Sequence, residues 1–180
     1  MKRNFLQIFA DSAPAAQSRT NMVSLLDVGS LNGGETEKLV EMGNGYTELT
    51  EDWGPKVDSK QYVNMEAESS VVSGYSFSLS PEREYISDDL QKAIDDLSKT
   101  FPTGAKCETY YYRFYKTDLT AGEGTMSGPC IKVPVVVTIS SVGGSGGESL
   151  KSTIQIKGNG NVSTGTVTVG TDGAYTFAAA

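Results

Sequence analysis

One stretch of this chain permits few alternatives. From Val71 to Pro102 a strand leads into an amphipathic helix, and nowhere else do the 180 residues offer a convincing helix. Tyr75, Phe77 and Leu79 alternate with Gly74, Ser76, Ser78 and Ser80, the period of two of a half-buried strand. After the polar Pro81–Tyr85 turn, Ser87 is placed to cap a helix over about 87–100. Asp88 and Asp89 fall in its first turn, where negative charge suits the dipole. Leu90, Ala93, Ile94 and Leu97 form one apolar stripe, Lys99 sits in the last turn, and Pro102 and Gly104 stop the helix. One helix with one apolar face needs a sheet to lie on.

The rest of the chain supplies strands. Met22–Val28 is strand-like, and Leu39–Met42 and Tyr46–Leu49 flank Gly43-Asn44-Gly45 as strand, turn and strand. Thr109–Tyr115 (TYYYRFY) is a dense aromatic strand. Its aromatics lie beside Arg113 and Lys116 and could stack bases, but the chain lacks the basic groove this needs, so a core strand is the favoured reading. Ile131–Ser140 alternates through Ile131, Val133, Val135, Val137 and Ile139, with Pro134 pointing to a sheet edge or a bulge. Leu150–Lys157, Val162–Val169 and Ala174–Phe177 complete a strand-rich meander with turns at Gly158-Asn159-Gly160 and Asp172-Gly173. The fold class expected is mainly β (α+β): an antiparallel β-sandwich or barrel-like domain over 21–180, preceded by an N-terminal arm over 1–20.

The segment from Glu51 to Ser70 stands apart. It is polar and of mixed charge, yet carries Trp53, Val57, Tyr62, Val63 and Met65, so it reads as a long extended loop. Its aromatics either fold back onto the body or serve an interface, since leaving them in water is unfavourable. Trp53, Tyr62 and Val63 are the candidate inter-subunit contacts.

Chemistry is hard to find. The chain has no histidine, which removes the Ser-His-Asp and Cys-His triads and every His-based metal centre. Cys107 and Cys130 make no zinc site by themselves; a single disulfide or two buried free thiols remain, with free thiols preferred. Carboxylates are plentiful, but Glu66/Glu68, Glu82/Glu84, Asp88/Asp89 and Asp95/Asp96 lack EF-hand spacing, and nothing selects a catalytic pair. Gly143–Gly147 lacks the Gly-Lys-Ser/Thr ending of a phosphate cradle and reads as a hairpin loop. No catalytic, metal-binding or cofactor-binding residue is expected. A net charge of −7 argues against tight binding to a phosphate backbone. No apolar run of membrane-spanning length occurs.

Val40–Leu49, Lys60–Asn64 and Ser69–Tyr75, followed by the alternating strand and the acidic helix start, resemble the major tail protein of long-tailed, non-contractile bacteriophages. The close from Gly165 to Val169, ending in Tyr175-Thr176-Phe177, is also similar. The likeness spans most of Val40 to Ile139 in the order of elements and the C-terminus more loosely; Phe5 to Arg19 does not align. The resemblance implies a structural tail-tube subunit without enzymatic activity. Six copies would form a ring, and rings would stack into a hollow tube that DNA passes through without specific binding. It also implies tape-measure, tail terminator and distal tail proteins as partners. The location implied is the virion tail, with the host cytoplasm during assembly. The competing readings are a β-sandwich adhesion or carbohydrate-binding module, and an acid-dependent hydrolase resting only on abundant carboxylates.

Overall fold

The computed structural model describes residues 16–180, so most of the expected N-terminal arm lies outside the described residues. The chain is mainly β, with antiparallel strands throughout and one α-helix among the described residues. Its spine is a strand of 18 residues, Met126–Gly143. In chain order the strands are β1 (Met22–Asp27), β2 (Leu39–Glu41), β3 (Pro55–Lys60), β4 (Ser69–Tyr75), β5 (Ser78–Leu79), β6 (Glu82–Glu84) and β7 (Glu108–Tyr115). There follow β8 (Thr120–Ala121), the spine β9, β10 (Lys151–Gly158), β11 (Ser163–Val169) and β12 (Tyr175–Ala179); helix α1 is Asp89–Thr100.

The spine is long because it serves two partners along one side. Residues Met126 to Lys132 pair with β11, and Val135 to Gly143 pair with β10. On its other side β9 pairs with β7, from Glu108 opposite Val136 to Phe114 opposite Cys130. Pro134 falls where the first partner ends and the second begins. The Asn159 amide donates to the Pro134 carbonyl at 2.8 Å, which shows that the backbone of Pro134 faces this gap. In an antiparallel strand the nitrogen faces the same way as the carbonyl, so the missing N–H costs no ladder bond. Pro134 therefore sits in a central strand, not at the sheet edge or bulge its type implied. The same arrangement corrects the meander: β10 and β11 are consecutive in sequence, yet each pairs with β9 and not with the other.

The main sheet runs β12-β11-β9-β7-β1-β2 and is buried on both faces. On one face α1 lays Leu90, Ile94 and Leu97 over Leu26, Tyr111, Val133, Val135, Val137, Ile154 and Ile156. On the other, Val23, Leu25, Tyr112, Phe114, Cys130 and Val167 pack under Tyr175 and Phe177. Among the described residues no helix covers this second face; the sheet covers it by curling. The Tyr175 hydroxyl on β12 donates to Glu41 on β2 at 2.9 Å, although a flat sheet would hold these end strands roughly 24 Å apart. The curl stops short of a closed barrel, since β12 and β2 share no ladder.

Helix α1 begins one residue later than the sequence signals implied. Asp88, not Ser87, is the cap, its carboxylate accepting from the Gln91 amide at 2.8 Å. The helix ends on Phe101, a non-glycine residue at φ +43° that is 70% exposed. Arg83, 1% exposed, fastens the helix start to the sheet. Its guanidinium donates to Gln91 Oε1 at 2.8 Å and to the Asn44 carbonyl at 3.0 Å, and pairs with Asp88. Gly45, at φ +81°, makes that approach possible, because a Cβ there would lie 2.8 Å from the Glu84 carbonyl. Residues 43–49 are thus not the return of a hairpin: Tyr46 forms a lone bridge to Arg83. Cys107 and Cys130 are buried free thiols.

The strand expected through Val71–Ser80 is two strands with different partners. β4 pairs with β3, away from the body, whereas β5 pairs with β10. The break falls at Ser76, whose amide donates to the Trp53 carbonyl at 3.0 Å. Phe77 and Leu79 enter the core beyond it, and Tyr75 stays 66% exposed.

Candidate functional site

The stretch read as an extended loop is largely a two-stranded arm. β3 and β4 form a sheet of their own, from Pro55 opposite Tyr75 to Lys60 opposite Ser69, and nearly every residue in it is exposed. Six or seven residues per strand give a projection of roughly 20 Å. A bulge between Lys56 and Val57 puts an extra residue, Ser73, on β4.

Alternation sorts the arm into two unlike faces. Pro55, Val57 and Ser59 share a face with their partners Tyr75, Val72 and Ser70, and the Ser59 and Ser70 hydroxyls bond at 2.8 Å. That face carries no charge. Lys56, Asp58 and Lys60 occupy the other, opposite Gly74, Val71 and Ser69. At the tip, the Met65 amide donates to the Tyr62 carbonyl at 2.9 Å and closes the turn.

The three residues singled out from the sequence part company. Tyr62 and Val63 lie together at the tip, 61% and fully exposed. Trp53 lies at the root, half-buried against Phe77 with ring centroids 4.8 Å apart and with Arg113 over its face at 5.7 Å. Sequence reasoning missed Val72 and Tyr75, because their alternation was continuous with that of the core residues Phe77 and Leu79. Nothing local marks the change of partner at Ser76.

The root is anchored by Glu51. Its carboxylate, with only 5% of the side chain exposed, accepts from Arg113 Nη1 at 2.8 Å, Tyr111 Oη at 2.6 Å and Trp53 Nε1 at 3.1 Å. Burial, reinforced by this carboxylate, raises the Tyr111 hydroxyl well above the ordinary tyrosine range. These three bonds tie the root of the arm to β7 and fix the Trp53 ring against the body. Among the described residues no group of His, Cys, Asp or Glu is arranged to hold a metal ion, and no helix is long and apolar enough to cross a membrane.

The molecule is therefore a curled antiparallel β-domain with one flanking helix and a projecting, amphipathic two-stranded arm. Its fold is shared with chains of gene transfer agent particles. A chain in the virion of a native gene transfer agent particle superimposes with a TM-score of 0.58 at 12% identity, over 83% of this chain and 98% of that one. A chain in the tail of an empty gene transfer agent particle, an assembly of C6 symmetry, gives 0.59 at 12% identity, over 82% and 98%. A chain of the anti-feeding prophage cap, which terminates that particle's tube, reaches only 0.48 at 8% identity, over 87% of this chain and 97% of that one. No protein-family model matches this sequence, and no curated protein does.

Proposed function

We propose that this protein is a structural subunit of a phage-type tail tube. In this reading six copies close into a ring and rings stack into a hollow tube that conducts DNA. The protein resides in the virion tail after assembly in the host cytoplasm, alongside tape-measure, terminator and distal tail proteins. The observation that carries the proposal is the arm. A two-stranded sheet with Val57, Val72, Tyr75, Tyr62 and Val63 in water has no role in a solitary subunit and is a natural joint between copies. The fold shared with a chain of a C6 tail supports six-fold geometry for that joint. A net charge of −7 and the absence of histidine fit a tube wall that neither grips DNA nor acts on it.

Negative-stain microscopy and sedimentation across a wide range of protein concentration test the proposal. Rings or tubes are the expected result. A species that stays monomeric at every concentration, including after seeding with tails, refutes it. Titration with duplex DNA near physiological salt should show no measurable binding.

A further inference from the structure

The sequence carries an apolar segment that the core leaves unused. Phe5, Leu6, Ile8 and Phe9 stand within five positions, and they lie outside the described residues. Four large apolar side chains so close together are unfavourable in water, so a surface must cover them. The chain enters the body at the Met22 end of β1, where Arg19 donates to the Met22 carbonyl at 2.6 Å and to the Leu49 carbonyl at 3.3 Å. The groove beside that entry is lined mainly by polar groups, among them Arg19, Glu41, Glu48 and Lys116, and offers such a segment no apolar bed.

An apolar groove opens at the opposite end of the sheet. There the last turn of α1 and the chain after it stand over β9, leaving a cavity of about 250 Å³ lined chiefly by Leu97, Phe101, Pro102, Cys107, Val137 and Ile139. Leu97, Cys107 and Val137 form a buried floor. Phe101 forms a wall at a double cost: its φ of +43° is a left-handed position that favours glycine, and its ring is 70% exposed. Glycine would end the helix with less strain, and a polar side chain would sit more easily in water. Neither feature serves the isolated subunit, and both fit an aromatic side chain kept for a partner.

We infer that Phe5–Phe9 of one copy docks in the groove beside Phe101 of a second copy of this chain. Position decides between a copy's own groove and its neighbour's. Met22 is in register with Tyr115, and Val136 with Glu108, so the chain's entry and the groove lie at opposite ends of the 8-residue β7, roughly 25 Å apart. Reaching its own groove would turn the segment back along the body with residues 9–19 largely drawn out, their limit being roughly 35 Å. A second copy placed head-to-tail brings its groove to the segment instead. Such a contact joins two different surfaces of identical molecules and repeats from copy to copy, as a stack requires. It rests on the tail-tube reading and gives the N-terminal segment a partner that reading leaves open.

Phe101→Gly separates this role from packing within the subunit. It should leave the monomer at least as resistant to urea, because the left-handed strain is gone, and raise the concentration needed for assembly about tenfold. Deleting residues 2–10 should raise it as much and leave monomer unfolding unchanged. Ala10→Cys and Thr103→Cys placed in one chain then show which groove is filled. On mild oxidation of assembled protein a ladder of cross-linked oligomers is expected, and neither single variant should give one. A cross-linked monomer would mean that the segment fills its own groove, and overturns the inference; so does the absence of any cross-link in assembled protein. A monomer weakened by Phe101→Gly would mean that the ring packs within its own subunit, and overturns it likewise. Tubes whose assembly is indifferent to Phe101→Gly and to the deletion do the same and leave the tail-tube reading standing. Wild-type protein that never assembles refutes both.

Discussion

Replacing Glu51 by Ala tests whether the root of the arm is built as the structure shows. The substitution removes one buried carboxylate and leaves three donors to find new partners. Arg113 loses its ion-pair partner but is 24% exposed, so water recovers part of its solvation. The Tyr111 hydroxyl keeps its 2.8 Å contact to Ser24 Oγ. Trp53 Nε1 loses its acceptor outright. Breaking a buried pair by removing one member costs about 3–5 kcal/mol, and the partial rescue of Arg113 and Tyr111 puts this site at the low end, about 3 kcal/mol. For a chain of this size that lowers the melting temperature by roughly 6–12 °C. Urea unfolding at a concentration below assembly measures the loss. Trp53 is the only tryptophan in the chain, so its emission reports the root directly and should shift to the red as the ring loosens. Glu51→Gln, which keeps an acceptor oxygen, should cost clearly less. A loss under about 1 kcal/mol for Glu51→Ala, with unchanged emission, would refute the reasoning, because it would mean these donors are solvated in the native state.

Trp53→Ala should destabilise the monomer by about 2–3 kcal/mol through lost packing on Phe77, whereas Tyr62→Ala should leave monomer unfolding within about 0.5 kcal/mol of wild type and weaken assembly alone. Chemical denaturation paired with electron microscopy separates the two. Stability should fall in alkali. Burial and the bond to Glu41 raise Tyr175 from 10.0 to about 12, so the unfolded chain releases that proton first and stabilisation present below pH 10 is lost as pH climbs toward 12. Tyr111 and Tyr112 shift in the same direction, and Tyr175→Phe should flatten part of the slope in urea midpoints measured across this range. Burial also raises the Cys130 thiol to about 11, so a thiol reagent near neutral pH should label Cys130 and Cys107 only after unfolding.

Local chemistry determined much of this protein on its own. The stripe Leu90–Leu97 settles a helix with one buried face, because i, i+3 and i+4 spacing permits nothing else. Alternation through Ile131–Ile139 and the aromatic run of Thr109–Tyr115 settle two core strands, and the Asp172-Gly173 turn settles the last hairpin. The isolation of 51–70 as a segment apart was also legible, since its polarity contradicts a core position. Tertiary structure decided the partners. Pro134 is harmless only because β10 ends and β11 begins beside it, and no residue near Pro134 in sequence records that exchange. Tyr75 and Phe77 obey one alternation yet part at Ser76, one into water and the other into the core, since period two fixes which residues share a face but not what covers it. Trp53 and Tyr62 looked alike as exposed aromatics. The pocket made by Phe77, Arg113 and Glu51, from three separate stretches of chain, claims the first and leaves the second at the tip. Sequence specifies the short-range pattern because helix and strand periods are local; which surfaces meet depends on contacts between residues far apart in the chain.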